Sequence, residues 1–369
     1  MIFSENDKKA TQKTVLIAPL DWGLGHAARC IPVIKELQNY PLRIIIAGNG
    51  AVASMLKQEF PQLECIPLPG YKIKYSKNKR WFLLKLLIQI PGVLYCVLRE
   101  HRWLNKVKQE LNLCAVISDN RFGLFNRSIS SVYITHQLAI KTGNQLSDKI
   151  ATLIHRNISK NYTQCWIPDF EGKINLAGEL SHTVKLRRND IYIGCLSRLE
   201  KQPVSEIMVD LLIILSGPEP QRTIFENLLL EQLKEYNGKV LFVRGLPGEN
   251  IPVPDNFLNQ NIIIKNFFSA IELNSSIEHS SIVISRSGYT TIMDLVKLGK
   301  KAILVPTPGQ TEQEYLAEYL SAQKIFFTVP QEKFVLTDVL EEAGRFTYNI
   351  PSFDMELYKT VIKQFAESL

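Results

Sequence analysis

Thr14-Val15-Leu16-Ile17-Ala18 runs through Asp21-Trp22-Gly23-Leu24-Gly25-His26-Ala27-Ala28-Arg29 into a helical stretch at 27–39, and a β-branched run, Leu42-Arg43-Ile44-Ile45-Ile46-Ala47, follows it. Strand, glycine loop, helix and strand in that order make one step of a parallel sheet. Gly23 and Gly25 let the backbone turn tightly, and the helix start beyond them aims its amide dipole into the crevice at the strand end. A dinucleotide site would need a third glycine where Ala28 stands and an acid closing the second strand, where Ala47-Gly48-Asn49 is found. An NAD-dependent oxidoreductase is therefore disfavoured.

The same alternation continues outward. Strands are predicted at 113–118 and 130–135, and a second series starts afresh at 209–215, 239–244, 261–264, 281–284 and 301–305. Ser197-Arg198-Leu199-Glu200-Lys201-Gln202-Pro203 reads as the linker between the series. At 369 residues and 42.1 kDa the chain suits two cores and exceeds one. The reading is α/β, with two Rossmann-like doubly wound domains at 1–197 and 206–350, and ligands expected at the C-terminal strand ends. Hydrophobic residues at 46% and charged residues at 21% exclude disordered, collagenous and coiled-coil classes. The polar start, Met1 to Lys13, has no apolar region of the secretory kind. Six scattered cysteines without a Cys-x-x-Cys pair fit a reducing cytosol and offer no zinc site.

Charge is unevenly divided. Residues 1–200 hold 28 Lys/Arg and 15 Asp/Glu, and residues 201–369 hold 15 and 21, giving +13 and −6 from a total of +7. Such asymmetry points the first half at something anionic, and with no zinc-finger or RRM signature no nucleic acid partner is expected. The focus is 71–108, with ten Lys/Arg and one acid, Glu100, among Tyr71, Tyr75, Trp81, Phe82, Tyr95 and Trp103. Its apolar run 82–98 contains Lys85, Gln89 and Pro91 and is short for a span, which takes about 20 residues. It suits a segment lying on an anionic membrane; the plainer alternative is a buried, Pro-kinked helix pair with a basic rim.

Chemistry gathers at the strand ends. His26 carries an imidazole suited to general-base work near neutrality, against the alternative of a helix-capping histidine. Asp119, ending the strand at 113–118, could orient it as the acid of a triad does, or be an Asx turn. His136 closes the next strand and would face the same crevice on the acceptor side, against the alternative of a polar loop residue. In the second half, Ser216 and Gly217 lie between a strand and a helix, with Arg222 just beyond, and suit a phosphate. Arg286, Ser287 and Gly288 begin another helix after a strand, and Thr290 and Asp294 share a face of it. Asp294 could accept both hydroxyls of a ribose, or form a surface salt bridge with Lys297 or Lys301. Gln310, Gln313 and Glu314 in the loop from Pro306 to Tyr315 could read sugar hydroxyls.

The stretch from Asn266 to Tyr315, through Arg286-Ser287-Gly288, Asp294, Pro306 and Gln313-Glu314-Tyr315, resembles the C-terminal domain of glycosyltransferase family 28. The resemblance implies the GT-B architecture, two such domains facing across a cleft, with a last helix near 353–367 in the segment 351–369 packing back on the first domain. It implies a UDP-sugar donor, with Asp294 on the ribose, Gln313 and Glu314 on the sugar and the Phe267-Phe268 backbone on the uracil. Gly23-Leu24-Gly25-His26 is similar to the family's N-terminal glycine loop, which places Gly25 and His26 toward a lipid-linked or glycan acceptor. The sequence departs from the family at Asp294, where Glu is usual, at Glu314 for the second Gln, and at Ser216-Gly217-Pro218 for a glycine-rich turn. These departures bear on which sugar is carried.

Transfer of a sugar needs a base for the acceptor hydroxyl and counter-charge for the departing diphosphate. His26 with Asp119 would supply the first. The helix starts at Ser287/Gly288 and Ser216/Gly217, with Arg222 or Arg286, would supply the second. No Asp-x-Asp occurs in the chain, so a metal-independent, inverting transfer is expected, without a cofactor, on the cytoplasmic face of a membrane. The rivals are a hydrolase of UDP-sugars using the same histidine, which Gly23 to Cys30 also resembles, and a non-catalytic nucleotide-sugar-binding subunit.

Overall fold

The computed structural model describes residues 12–68, 70, 82–203, 206–246, 252 and 261–369. The chain divides into two units, Met1–Leu196 with Phe353–Leu369, and Ser197–Ser352.

The first unit runs β1 (Lys13–Pro19), α1 (Leu24–Leu37), β2 (Leu42–Gly48), α2 (Gly50–Glu59), β3 (Glu64–Pro67), α3 (Phe82–Glu110), β4 (Leu113–Asp119), β5 (Ser130–Ile134), α4 (Gln145–Ser159), β6 (Gln164–Ile167), α5 (Glu179–His182) and β7 (Asp190–Tyr192). Its sheet has the order β3-β2-β1-β4-β5-β6-β7, and every pairing is parallel. Val15 to Ala18, Ile45 to Ala47 and Ala115 to Ile117 are fully buried, because helices cover both faces of a parallel sheet and its central strands read as unbroken apolar runs. The connections from β1 pass to β2 on one side, and β4 lies on the other. The strand order therefore reverses at β1/β4, where a crevice opens at the C-terminal ends. The register seats Pro19 opposite Asp119, and Leu20 N donates to the Asp119 carbonyl at 3.0 Å.

Of the basic aromatic segment 71–108, residues 71–81 lie outside the described residues. From Phe82 the chain forms one 29-residue helix, α3, that runs through Pro91. Among the described residues no helix is long and apolar enough to cross a membrane.

The second unit runs β8 (Val209–Ile214), α6 (Gln221–Leu233), β9 (Val240–Val243), β10 (Ile262–Lys265), α7 (Ala270–Glu278), β11 (Ser280–Ser285), α8 (Tyr289–Leu298), β12 (Ala302–Leu304), α9 (Thr311–Ala322), β13 (Phe327–Thr328) and α10 (Leu336–Arg345). The sheet order is β10-β9-β8-β11-β12-β13, again all parallel, with its reversal at β8/β11. Ser269 begins α7 with a capping box to Glu272, and α8 ends on left-handed Gly299. The chain then returns to the first unit as α11 (Leu357–Ser368). There Phe353 stacks on Phe170 at 3.8 Å between centroids, and Phe365 meets the buried Trp166 edge-on at 5.3 Å.

Candidate active site

The candidate residues of both units gather at the two reversal points. In the first unit Gly23, at φ 105°, turns the chain off β1 into α1, a conformation that a side chain would strain. His26 then stands in the first turn of α1, 17% exposed, with Nδ1 3.1 Å from Oδ1 of the fully buried Asp119. It does not cap the helix: its nitrogen partners are side chains. Arg29, one turn on, donates from Nε to Asp119 Oδ2 at 2.6 Å and from Nη2 to Oδ1, and its Nη2 lies 2.8 Å from His26 Nδ1. Burial pushes the Asp119 carboxyl up, but the charges and hydrogen bonds of Arg29 and His26 outweigh it and hold the group at about 2. Burial and then the Arg29 charge lower His26 below its ordinary 6.5, against the upward pull of Asp119. An ionised carboxylate beside a neutral imidazole is the resting state of a general base.

Gly25 occupies the same first turn of α1, and His136, buried after β5, is close enough for its charge to bear on His26. Asn120, left-handed at φ 53°, turns the chain after Asp119. Its side chain accepts from Tyr133, which also meets His155 Nε2 at 3.0 Å. Arg121 is fully buried and donates to the Pro19 carbonyl and to Glu100 of α3. The ends of β1 and β4 are thereby fixed to each other. Arg29 was assigned no role by sequence reasoning, although its spacing from His26 puts both on one helical face.

In the second unit the loops after β8, β11 and β12 interlock. Gly217, at φ 103°, lies over Thr307: a Cβ added there would sit 3.7 Å from the threonine hydroxyl. Ser287 donates to the Gln313 carbonyl at 2.8 Å. Ser216 and Gly217 remain exposed, and Gly288 is the N-cap of α8 with open space before it. Gln313 accepts from Thr307 N and donates to Gln310, while Glu314 accepts from Gly309 N. The three polar side chains are held together where the loop after β12 enters α9. Phe268 is half-buried between β10 and α7, and Thr290 half-buried in the first turn of α8. Asp294, one turn beyond Thr290, is buried and accepts from Ser197 at 2.5 Å. Burial pushes its carboxyl up to about 6, against Ser197, Arg198 and Lys297. Lys297 pairs with Glu200 rather than with Asp294.

Two expectations need correction. Arg286 and Arg222 were placed as counter-charges for a diphosphate, but both guanidiniums are committed inside the domain. Arg286, 1% exposed, lies 4.2 Å over the Phe225 ring and donates to the carbonyls of Val305, Pro306 and Gln221 and to Gln331. Arg222 is paired with Glu219 and with Glu226, which Arg244 also holds. An arginine near a loop end can brace the loop from within as readily as face a ligand, and sequence position does not distinguish the two.

Residues 221–352 match the family model described as the glycosyltransferase family 28 C-terminal domain. The chain is 21% identical over 325 residues to a UDP-N-acetylglucosamine--N-acetylmuramyl-(pentapeptide) pyrophosphoryl-undecaprenol N-acetylglucosamine transferase of Borreliella burgdorferi, covering 86% of this chain and 84% of that protein. It is 25% identical over 286 residues to the protein of the same name from Clostridium perfringens, with 75% and 72% covered. Among solved structures, the glycotransferase of kitacinnamycin superposes with a TM-score of 0.63 at 11% identity, covering 97% of this chain and 96% of that one. MurG of Acinetobacter baumannii does so with 0.54 at 11% identity, with 96% and 94% covered. The structures share the GT-B fold, and the family and relatives bear out the reading of a glycosyltransferase.

Proposed function

We propose that this chain, whose residues 221–352 match the glycosyltransferase family 28 C-terminal domain, moves a sugar from a UDP-sugar to a hydroxyl of a lipid-linked acceptor, with inversion and without a metal. The observation that carries the reading is the His26–Asp119 pair, 3.1 Å apart at the reversal point of the first sheet. With the Nδ1 proton donated to Asp119, Nε2 is free to take the proton of the acceptor hydroxyl as oxygen attacks the anomeric carbon. The sugar–phosphate bond breaks on the opposite side, and UDP leaves with the electron pair. The starts of α6 and α8, with Gly217 and Gly288, present backbone N–H groups to the diphosphate. In this reading Phe268 would meet the uracil, Asp294 and Thr290 would hold the ribose, and Gln310, Gln313 and Glu314 would meet the sugar. The named relatives use UDP-N-acetylglucosamine and a pyrophosphoryl-undecaprenol acceptor, which supports this donor and acceptor class.

Calorimetric titration with UDP, ADP, GDP and dTDP in the presence of a chelator tests the donor site. UDP should bind at least about tenfold more tightly than the others, a difference of roughly 1.4 kcal/mol. Equal binding of all four, or UDP binding that needs a divalent cation, would remove the proposal.

A lipid-linked acceptor places the enzyme at a membrane surface. Leu94, Tyr95 and Leu98 on α3 are each more than half exposed, which supports the contact expected of 71–108. A second stripe was missed in the sequence: Leu146, Ile150, Leu153 and Ile154 of α4, also more than half exposed, beside exposed Lys149 and Lys160. No acid stands among the exposed positions of α4, so this face suits an anionic bilayer. Ile150→Asp with Leu153→Asp should cut pelleting on vesicles containing anionic phospholipid at least about tenfold at low salt. Unchanged pelleting would show that α4 does not touch the membrane.

A further inference from the structure

Arg29 follows His26 by three residues, so α1 sets the guanidinium and the imidazole on one face. It is 2% exposed and grips Asp119 at two points, Nε to Oδ2 at 2.6 Å and Nη2 to Oδ1, while Nη2 also lies 2.8 Å from His26 Nδ1. Cys30 Sγ completes the surroundings of Asp119 at 3.8 Å from Oδ2. A histidine paired with a carboxylate alone is drawn toward the imidazolium, because the negative charge stabilises the protonated ring. A base so stabilised is already occupied near neutrality. The charged and titratable groups that bear on His26 are Arg29 from its own helix, Asp119 from the end of β4 and His136 from beyond β5. Burial, Arg29 and His136 oppose a charged ring, and Asp119 alone favours one.

We propose that Arg29 is a positioning residue that keeps His26 an uncharged proton acceptor, fixing Asp119 by its two-point grip and setting a positive charge against the ring. The carboxylate can then orient Nδ1–H without charging the imidazole in advance. Arg29 acts through His26 and Asp119, and the proposal rests on the reading of His26 as the base. The proton taken from the acceptor at Nε2 makes an imidazolium next to a fixed cation, so the ring gives the proton up to solvent readily once UDP has left.

The test is an NMR titration of histidine-labelled protein, with the His26 signal identified by its loss in His26→Asn. The wild-type midpoint should fall below 6.5, Arg29→Gln should raise it by about one pH unit or more, and Arg29→Lys, which keeps the charge, should hold it within ~0.5 unit of wild type. The acid limb of the kcat/KM profile should move upward with it in Arg29→Gln and stay in Arg29→Lys. A merely structural arginine would change the melting temperature of both variants and leave the midpoint in place. A wild-type midpoint at or above 6.5, or an unmoved midpoint in folded Arg29→Gln, overturns the proposal. If Arg29→Gln does not fold, Arg29→Met takes its place in the titration, with the same upward shift expected and an unmoved midpoint overturning the proposal. Because the titration needs no turnover, a protein that transfers no sugar yet shows these midpoints would refute the proposed reaction and leave the role of Arg29 standing.

Discussion

His26→Ala is expected to lower kcat by about 10²–10⁴-fold and to leave UDP affinity unchanged. The loss is large because no other described side chain both faces the β1/β4 crevice from the first turn of α1 and is held on a buried carboxylate. A helix-capping role would predict a different outcome, a loss of stability of about 1 kcal/mol with little change in turnover. The contacts speak against that role: the N-cap of α1 is Gly23, with no side-chain cap, and His26 Nδ1 bonds Asp119, with Arg29 Nη2 lying beside it. Steady-state kinetics on the variant, with UDP titrated separately, distinguish the two. Asp119→Ala is a poorer probe. It strands the buried Arg29 cation, which costs about 3–5 kcal/mol, so lost activity would merge with lost folding.

Asp294→Asn is expected to make the free protein more stable at pH 7 and to bind UDP about 10–100-fold more weakly. The stability effect follows from the carboxyl's folded value of about 6 against an ordinary 3.8. For an acid raised on folding, the folded state holds the proton more tightly. Stability is therefore fullest below about pH 4, falls as pH rises toward 6, and stays low above it. The forfeit is roughly 3 kcal/mol at one pKa unit per 1.36 kcal/mol. Asparagine removes it, and its amide oxygen can still accept from Ser197. The binding effect follows from replacing an ionised acceptor with a neutral one where two ribose hydroxyls would donate, a difference of about 1.4–2.8 kcal/mol. Urea unfolding at pH 4 and pH 7, with calorimetry, checks both. A variant that loses stability at pH 7 and keeps its UDP affinity would make Asp294 a structural partner of Ser197 alone. Buried charge retained at a stability cost is what a binding site demands.

The parallel strands of both domains were legible because their apolar runs are continuous and separated by amphipathic helices, as burial on both sheet faces requires. β3, β6, β7 and β13 were not, since strands of two to four residues at or next to a sheet edge, such as Asp190–Tyr192, carry too little pattern. The juxtaposition of His26 and Asp119 followed from a topological rule: neighbouring strand tips meet where the order reverses. Arg29 escaped notice because a buried arginine in an apolar helix face looks like an intrusion until its carboxylate partner, ninety residues on, is seen beside it. Arg222 and Arg286 misled for the opposite reason. Each stands at a loop end, but the acids and carbonyls that absorb its charge come from other elements. The α4 stripe Leu146, Ile150, Leu153, Ile154 has the spacing of an ordinary core-facing helix. Only its exposure separates it from one.

The most direct measurement is UDP release from UDP-N-acetylglucosamine, followed with and without a lipid-linked hydroxyl acceptor on anionic vesicles, in wild type and His26→Ala, with chelator present throughout. Release that depends on the acceptor, forms a glycosidic product of inverted configuration and collapses in the variant is the expected result. Equal release without acceptor would make the protein a UDP-sugar hydrolase, and tight UDP binding with no release under either condition would make it a binding subunit. Either result would contradict sugar transfer by His26.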